Sequence, residues 1–348
     1  MRENGFDRRA SDAGGPVRVA MGRGSAEQHH GELLQGAVWR DGQLVPCLIT
    51  MRGKGVGSKA EFWPGVVSGG RGLARGAAPA DGNGSPEVGA VAADPRALEI
   101  LPPWKQKAAR AACLTLAHLG LPVEGRLEVE CSVATGVGLG SSTCDVVAAI
   151  RAVAAACGVV LDVGTVAQLA VAAEGASDPI MFEGEMLLFA QRQGRVLESF
   201  GAWIPQYAVM SFDADPAGGG VDTLGLPVPA YTGSELAAFE DMIARAREAF
   251  GRRDAGALAS LAAIATQSAA LNQRFLPLRN FERIRRLAEE SGALGVQISH
   301  SGTVGGLLFE PGLDQTLEGR VAARLRAFGA RPLGVFTTGV ATAIDGTG

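Results

Sequence analysis

The stretch that most limits what this chain can fold into is Val133-Ala134-Thr135-Gly136-Val137-Gly138-Leu139-Gly140-Ser141-Ser142-Thr143. Upstream, Leu127, Val129, Cys131 and Val133 alternate with polar residues, which predicts a half-buried strand over residues 125–133. Downstream, residues 143–157 are almost wholly Ala, Val, Ile and Cys and stop at Gly158, which predicts a helix buried on nearly every side. Glycines in such a strand-to-helix turn let successive backbone N–H groups face an anion, and the helix start adds partial positive charge. Ser141, Ser142 and Thr143 add hydroxyls that suit phosphate oxygens or Mg²⁺. Spacing alone leaves two readings open, a phosphate cradle or a tight turn with a serine cap. No Lys follows the last glycine, so this is no Walker A loop. Gly136, Gly138 and Gly140 give GxGxG and not the dinucleotide GxGxxG, and no GxSxG nucleophile elbow occurs.

A chain of 348 residues is long for one core and predicts two domains. With 32 basic and 36 acidic residues, net charge −4, it offers no broad attraction for nucleic acid or anionic lipid, so neither is expected as a partner. The five cysteines lack zinc-like spacing and read as reduced, buried thiols. The N-terminus lacks the apolar run of a signal peptide, and no stretch approaches the roughly 20 apolar residues needed to span a bilayer. A cytoplasmic location is the expectation.

Residues 1–15 are polar and unpatterned and read as a disordered tail; residues 67–94, dense in Gly, Ala, Pro and Asp, read as a flexible insertion. Strands are expected at 42–51, 57–63, 186–191, 207–212, 296–298, 305–309 and 331–337. Helices are expected at 105–119, 163–174, 235–250, 255–273, 281–292 and 315–328, with a Gly/Pro-rich connector at 218–230. This order lacks a regular βαβ alternation and predicts an α+β protein in two lobes.

Gly138-Leu139-Gly140-Ser141-Ser142 resembles the GLGSS core of the GHMP kinases, the family of galactokinase, homoserine kinase and mevalonate kinase. Two more segments resemble its other motifs in the right order. Gly31-Glu32-Leu33-Leu34-Gln35-Gly36 is similar to the first, and Gln297-Ile298-Ser299-His300-Ser301-Gly302-Thr303-Val304-Gly305-Gly306 to the third. Within the family, four features resemble the L-threonine kinase branch of cobalamin biosynthesis: Gly31–Gly36, Ser141-Ser142-Thr143 with Asp145, Ser177-Asp178 followed by Ile180-Met181-Phe182, and His300-Ser301-Gly302. Ala134 and Thr143 depart from the usual Pro and Ala or Gly, and His29-His30 stand where that branch has small residues or cysteine. No Lys lies in residues 23–36, and Arg23 is the stand-in for the family's basic residue there.

The resemblance implies a two-lobed GHMP fold, with a ribosomal S5 domain 2-like ATP-binding lobe over 16–203 and a ferredoxin-like lobe over 204–345. It implies ATP and Mg²⁺ as cofactors and a small-molecule hydroxyl substrate, an L-threonine-like amino acid being favoured. A homoserine or other hydroxy-metabolite kinase, or a non-catalytic nucleotide-binding relative, stays open, as does a homodimer. By the same resemblance, Gly136, Val137, Gly138, Leu139, Gly140, Ser141, Ser142 and Thr143 bind nucleotide, and Ser142 and Glu174 hold the metal. Asp178, with Ser142, is catalytic; Glu32, His29, His30, Ser301, Gly302 and Thr303 bind substrate.

Overall fold

The structure, a computed structural model, describes residues 20–65, 98–131, 141–217, 229–299 and 303–339. The tail expected at 1–15, the insertion at 67–94 and residues 218–228 of the connector lie outside the described residues. The architecture is α+β, as expected, with ten strands and seven α-helices among the described residues.

Two long strands, β1 (Gly22–Arg40) and β2 (Gln43–Pro64), form an antiparallel hairpin. Asp41 and Gly42 close it with φ of 52° and 74°, the left-handed pair that a two-residue turn matching strand twist requires. β1 was legible as a motif but not as a strand. Gln28, His29, His30, Glu32 and Gln35 break its apolar alternation, and its register against β2 slips four times between Ala26 and Leu34. Gly31 sits in that irregular stretch at φ 58°, where a Cβ would stand 2.1 Å from Gln297 Oε1. Only glycine fits there.

The first lobe adds β3 (Leu98–Leu101) and β4 (Gly125–Cys131) to β2, with α1 (Gln106–His118), α2 (Ser141–Ala156) and α3 (Val163–Glu174) against one face. α2 is buried on nearly every side, as its composition requires, and begins two residues before the expected start. Asp162 caps α3 through the backbone N–H of Thr165 at 2.9 Å. β5 (Met186–Ala190) pairs with β2 and with β6 (Arg195–Gly201).

The second lobe contains β7 (Ala208–Asp213), α4 (Gly233–Arg252), α5 (Ala255–Asn272), α6 (Phe281–Ser291), β8 (Gly295–Ile298), β9 (Val304–Phe309), α7 (Gln315–Ala327) and β10 (Arg331–Thr337). Its strands lie in the order β10-β7-β9-β8, all antiparallel, which is the ferredoxin-like arrangement. The lobes share one ten-stranded sheet, joined where Glu32 of β1 pairs with Ile298 of β8. α5 reinforces the junction: Gln35 N–H donates to Ser268 Oγ at 2.8 Å, and Asn272 Nδ2 donates to Gln35 O at 2.7 Å.

α4 packs on β1 through Phe239, whose ring fills the space above Gly36; a Cβ on that glycine would lie 2.5 Å from the ring. Phe239→Ala is expected to lower unfolding free energy by about 3–5 kcal/mol, the usual cost of emptying a buried ring site. Urea unfolding measures it, and a loss below about 1 kcal/mol would mean that α4 does not lean on β1 through this ring.

Candidate active site

Four elements converge at the N-terminus of α2. The hydroxyls of two consecutive residues there each donate to a carboxylate. Ser142 Oγ donates to Glu174 Oε2 at 2.9 Å, and Thr143 Oγ1 donates to Asp178 Oδ2 at 3.4 Å. Glu174 is the last residue of α3, which Gly175 terminates at φ 78°. Asp178 follows three residues later and opens the turn Pro179–Met181. Its side chain makes no capping bond to that turn, so the Asp-Pro sequence does not consume the carboxylate.

Asp178 turns toward the hairpin. Its Oδ1 accepts from Thr50 Oγ1 on β2 at 3.2 Å, and its Oδ2 faces His29 Nε2 on β1 at 3.5 Å. A carboxylate offers about four lone-pair positions, so these partners orient it and leave capacity for another proton donor. It remains partly exposed, at 14%.

Glu174 is buried, and burial pushes its carboxyl up to about 7, against the opposing pull of the Ser142 hydroxyl. Its Oε1 has no hydrogen-bond partner among the described residues. A buried, half-satisfied carboxylate beside a serine hydroxyl, with a second carboxylate next to it, is a donor set short of positive charge. It fits Mg²⁺, which takes one or two carboxylates plus phosphate oxygens and keeps several waters. Among the described residues no cluster of three or more His, Cys, Asp or Glu could hold a metal unaided, so the fit requires phosphate oxygens as further ligands.

The segment expected to bind nucleotide, Gly136, Val137, Gly138, Leu139 and Gly140, lies outside the described residues, as do His300, Ser301 and Gly302. Their flanks are described and adjoin. Cys131, the last described residue before the first segment, packs with Val304, which follows the second. Thr303 lies on this edge, its carbonyl accepting from Ala214 N–H at 2.9 Å.

The two histidines separate. His29 joins Asp178, whereas His30 points to the second lobe, where Nε2 meets Ser211 Oγ at 2.7 Å, Nδ1 meets Gln297 Nε2, and the ring lies 5.0 Å from Phe336. Burial brings the His30 imidazole down to about 4, so it is neutral at physiological pH. Glu32 is buried at the lobe junction, paired in register with Thr50. Arg23, the stand-in for a site cation, is 74% exposed and bonded to Glu61 near the far end of β1. It takes no part in the cluster.

Sequence reasoning missed Thr50 and the ion pair behind it, Arg52 with Glu27 at 2.7 Å. It also missed a buried group at the base of α2, in which Lys105 Nζ reaches both oxygens of Asp145 at 2.7 Å and Ser58 Oγ donates to Oδ1 at 2.7 Å. One signal was available: Thr50 and Arg52 are polar residues two apart in an apolar strand, the period that puts both on one face.

Residues 106–183 match the family model "GHMP kinases N terminal domain", and residues 246–331 match "GHMP kinases C terminal". Solved structures share the fold over nearly the whole chain. A homoserine kinase from Cytophaga hutchinsonii superposes with a TM-score of 0.59 at 16% identity, covering 97% of this chain and 98% of that one. The mevalonate kinase of L. major in complex with R-mevalonate gives 0.56 at 15% identity, covering 94% and 99%. A 4-(cytidine 5'-diphospho)-2C-methyl-D-erythritol kinase gives 0.51 at 20% identity, covering 91% and 99%. No curated protein matches the chain in sequence. Among the described residues no helix is long and apolar enough to cross a membrane. The chain thus carries the N- and C-terminal GHMP kinase domains, in order, on a two-lobed α+β frame, and that pair of domains marks it as a phosphotransferase with an alcohol group as acceptor.

Proposed function

We propose that the protein transfers the γ-phosphoryl group of ATP to the hydroxyl of a small amino acid, with L-threonine as the favoured acceptor. The observation that carries the reading is Asp178, a partly exposed carboxylate oriented by Thr50, Thr143 and His29 beside the Ser142–Glu174 pair.

Phosphoryl transfer needs positioning and charge neutralisation more than covalent help from the protein. The glycine-rich segment 136–140 would cradle phosphates, and Ser142 and Glu174 would hold Mg²⁺, whose charge would offset that of the phosphate oxygens. Asp178 orients the acceptor hydroxyl and takes its proton as the new oxygen–phosphorus bond forms and ADP departs. In this reading residues 16–203 carry the nucleotide and metal, and residues 204–345 supply Thr303 and the neighbouring Ser301 and Gly302 to close on the substrate. Preference for threonine rests on the likeness of Gly31–Gly36, Ser141–Asp145 and Ser177–Phe182 to that branch of the family.

An ADP-release assay with L-threonine, L-serine and L-homoserine tests the reading. L-threonine is expected to give at least about tenfold higher kcat/KM than L-homoserine, the discrimination available from one relocated hydroxyl or methylene in a fitted pocket. Preference for homoserine would move the acceptor to the homoserine-type alternative. ATP binding without turnover on any hydroxylated acceptor would remove the catalytic reading.

A further inference from the structure

We infer that Arg52 is a positioning residue for Asp178, acting through the turn that follows the carboxylate. Arg52 is 4% exposed. Its Nη1 donates to Phe182 O at 2.6 Å, and its Nη2 donates to Ile180 O at 3.3 Å and to Glu27 Oε2 at 2.7 Å. Two residues earlier on the same face of β2, Thr50 donates directly to Asp178. The strand therefore holds the aspartate twice, once at the carboxylate and once at the backbone behind it. Across the hairpin, Arg52 is in register with His29, the third group on Asp178.

A planar guanidinium suits this task because its donors diverge at fixed angles and reach three acceptors together. Arg151 on α2 adds a weaker hold, donating to Met181 O at 3.3 Å, so three successive carbonyls after Pro179 face guanidinium groups. The main chain of Arg52 is tied to the other lobe. Its carbonyl accepts from Gly339 N–H at 3.1 Å, and Gly53 bridges Thr338 beyond the end of β10. Asp178 is thus referenced through one residue to both lobes. Replacing a buried ion pair by apolar side chains is often neutral for stability.

This inference rests on Asp178 being the carboxylate that faces the acceptor, so Asp178→Asn is measured in parallel. The test compares kcat, KM for ATP and melting temperature in the full chain, with L-threonine and L-homoserine as acceptors. The variants are Arg52→Lys and the double replacement Arg52→Met with Glu27→Gln, which leaves no lone charge buried. The double variant is expected to fold, to keep KM for ATP within about threefold and to lose about 100-fold in kcat, the cost of displacing a reacting group by about 1 Å. Arg52→Lys, which cannot reach all three acceptors, is expected to lose about tenfold in kcat. Methylguanidinium added to the double variant is expected to recover part of the lost rate, an effect a merely structural role does not produce.

Folded variants with kcat within about threefold of the parent would overturn the inference, as would kcat and ATP affinity falling together with melting temperature. Failure of both variants to fold would overturn it too, since Arg52 would then be a folding residue. Asp178→Asn retaining turnover would instead sink the underlying reading, and that result is separable because it does not involve Arg52.

Discussion

Asp178→Asn lowers kcat by about 10²–10⁴-fold, the range for losing a general base, while ATP affinity stays within a few fold. The replacement is close to isosteric. Asn can still accept from Thr50, and Asp178 makes no capping bond to the turn Pro179–Met181, so the local fold has no reason to change. What disappears is the capacity to take the acceptor proton and the negative charge facing His29. Steady-state kinetics together with calorimetric ADP binding check the result. A kcat loss with KM for ATP unchanged marks an interaction made only in the transition state. Equal loss of turnover and nucleotide binding would mean that Asp178 only shapes the turn.

Glu174→Gln is expected to make the nucleotide-free protein more stable above neutral pH and much less active. Burial raises the Glu174 carboxyl from 4.5 to about 7. Across that window the folded protein keeps a proton that the unfolded chain has already released. Stability therefore falls as pH rises from about 4.5 to about 7 and levels off above, a contribution of roughly 3 kcal/mol. The glutamine variant lacks this slope, so without nucleotide it melts at a higher temperature than the parent at pH 8. Under the proposed metal role it also gains less from Mg²⁺ with ADP, because the carboxylate that would bind the cation is gone. Thermal melts against pH, with and without Mg²⁺ and ADP, read both effects. An unchanged pH slope would mean that Glu174 is charged and compensated at neutral pH. Equal stabilisation by Mg²⁺ and ADP in both proteins would remove it from the metal site.

The parts legible in the sequence are those governed by short-range periodicity. The alternation over Leu127, Val129 and Cys131, the Ala/Val run of α2 and the expected span 331–337 all correspond to observed elements. β1 was not legible as a strand because its polar residues and slipped register obscure the period of two; strand alternation gives its adjacent histidines different partners, Asp178 for His29 and Ser211 for His30. β3 and β6 were missed as strands: β3 has four residues, and β6 alternates only weakly. Thr50, Arg52 and Glu27 could not be read as site residues because Asp178 and Phe182 lie more than 120 positions away along the chain from the strand residues that hold them.

The sequence alone determined that a glycine-rich segment and three hydroxyl residues lead into a buried helix, and that carboxylates occupy positions 174 and 178. Local spacing dictates helix, strand and turn, and hence which groups emerge at an element's end. Only the tertiary structure decided that Ser142 meets Glu174, that Thr143, Thr50 and His29 gather on Asp178, and that Arg23 stays at the surface. Those pairings depend on the register of β1 against β2 and on how α2 and α3 sit over the sheet, and packing of the whole core sets both.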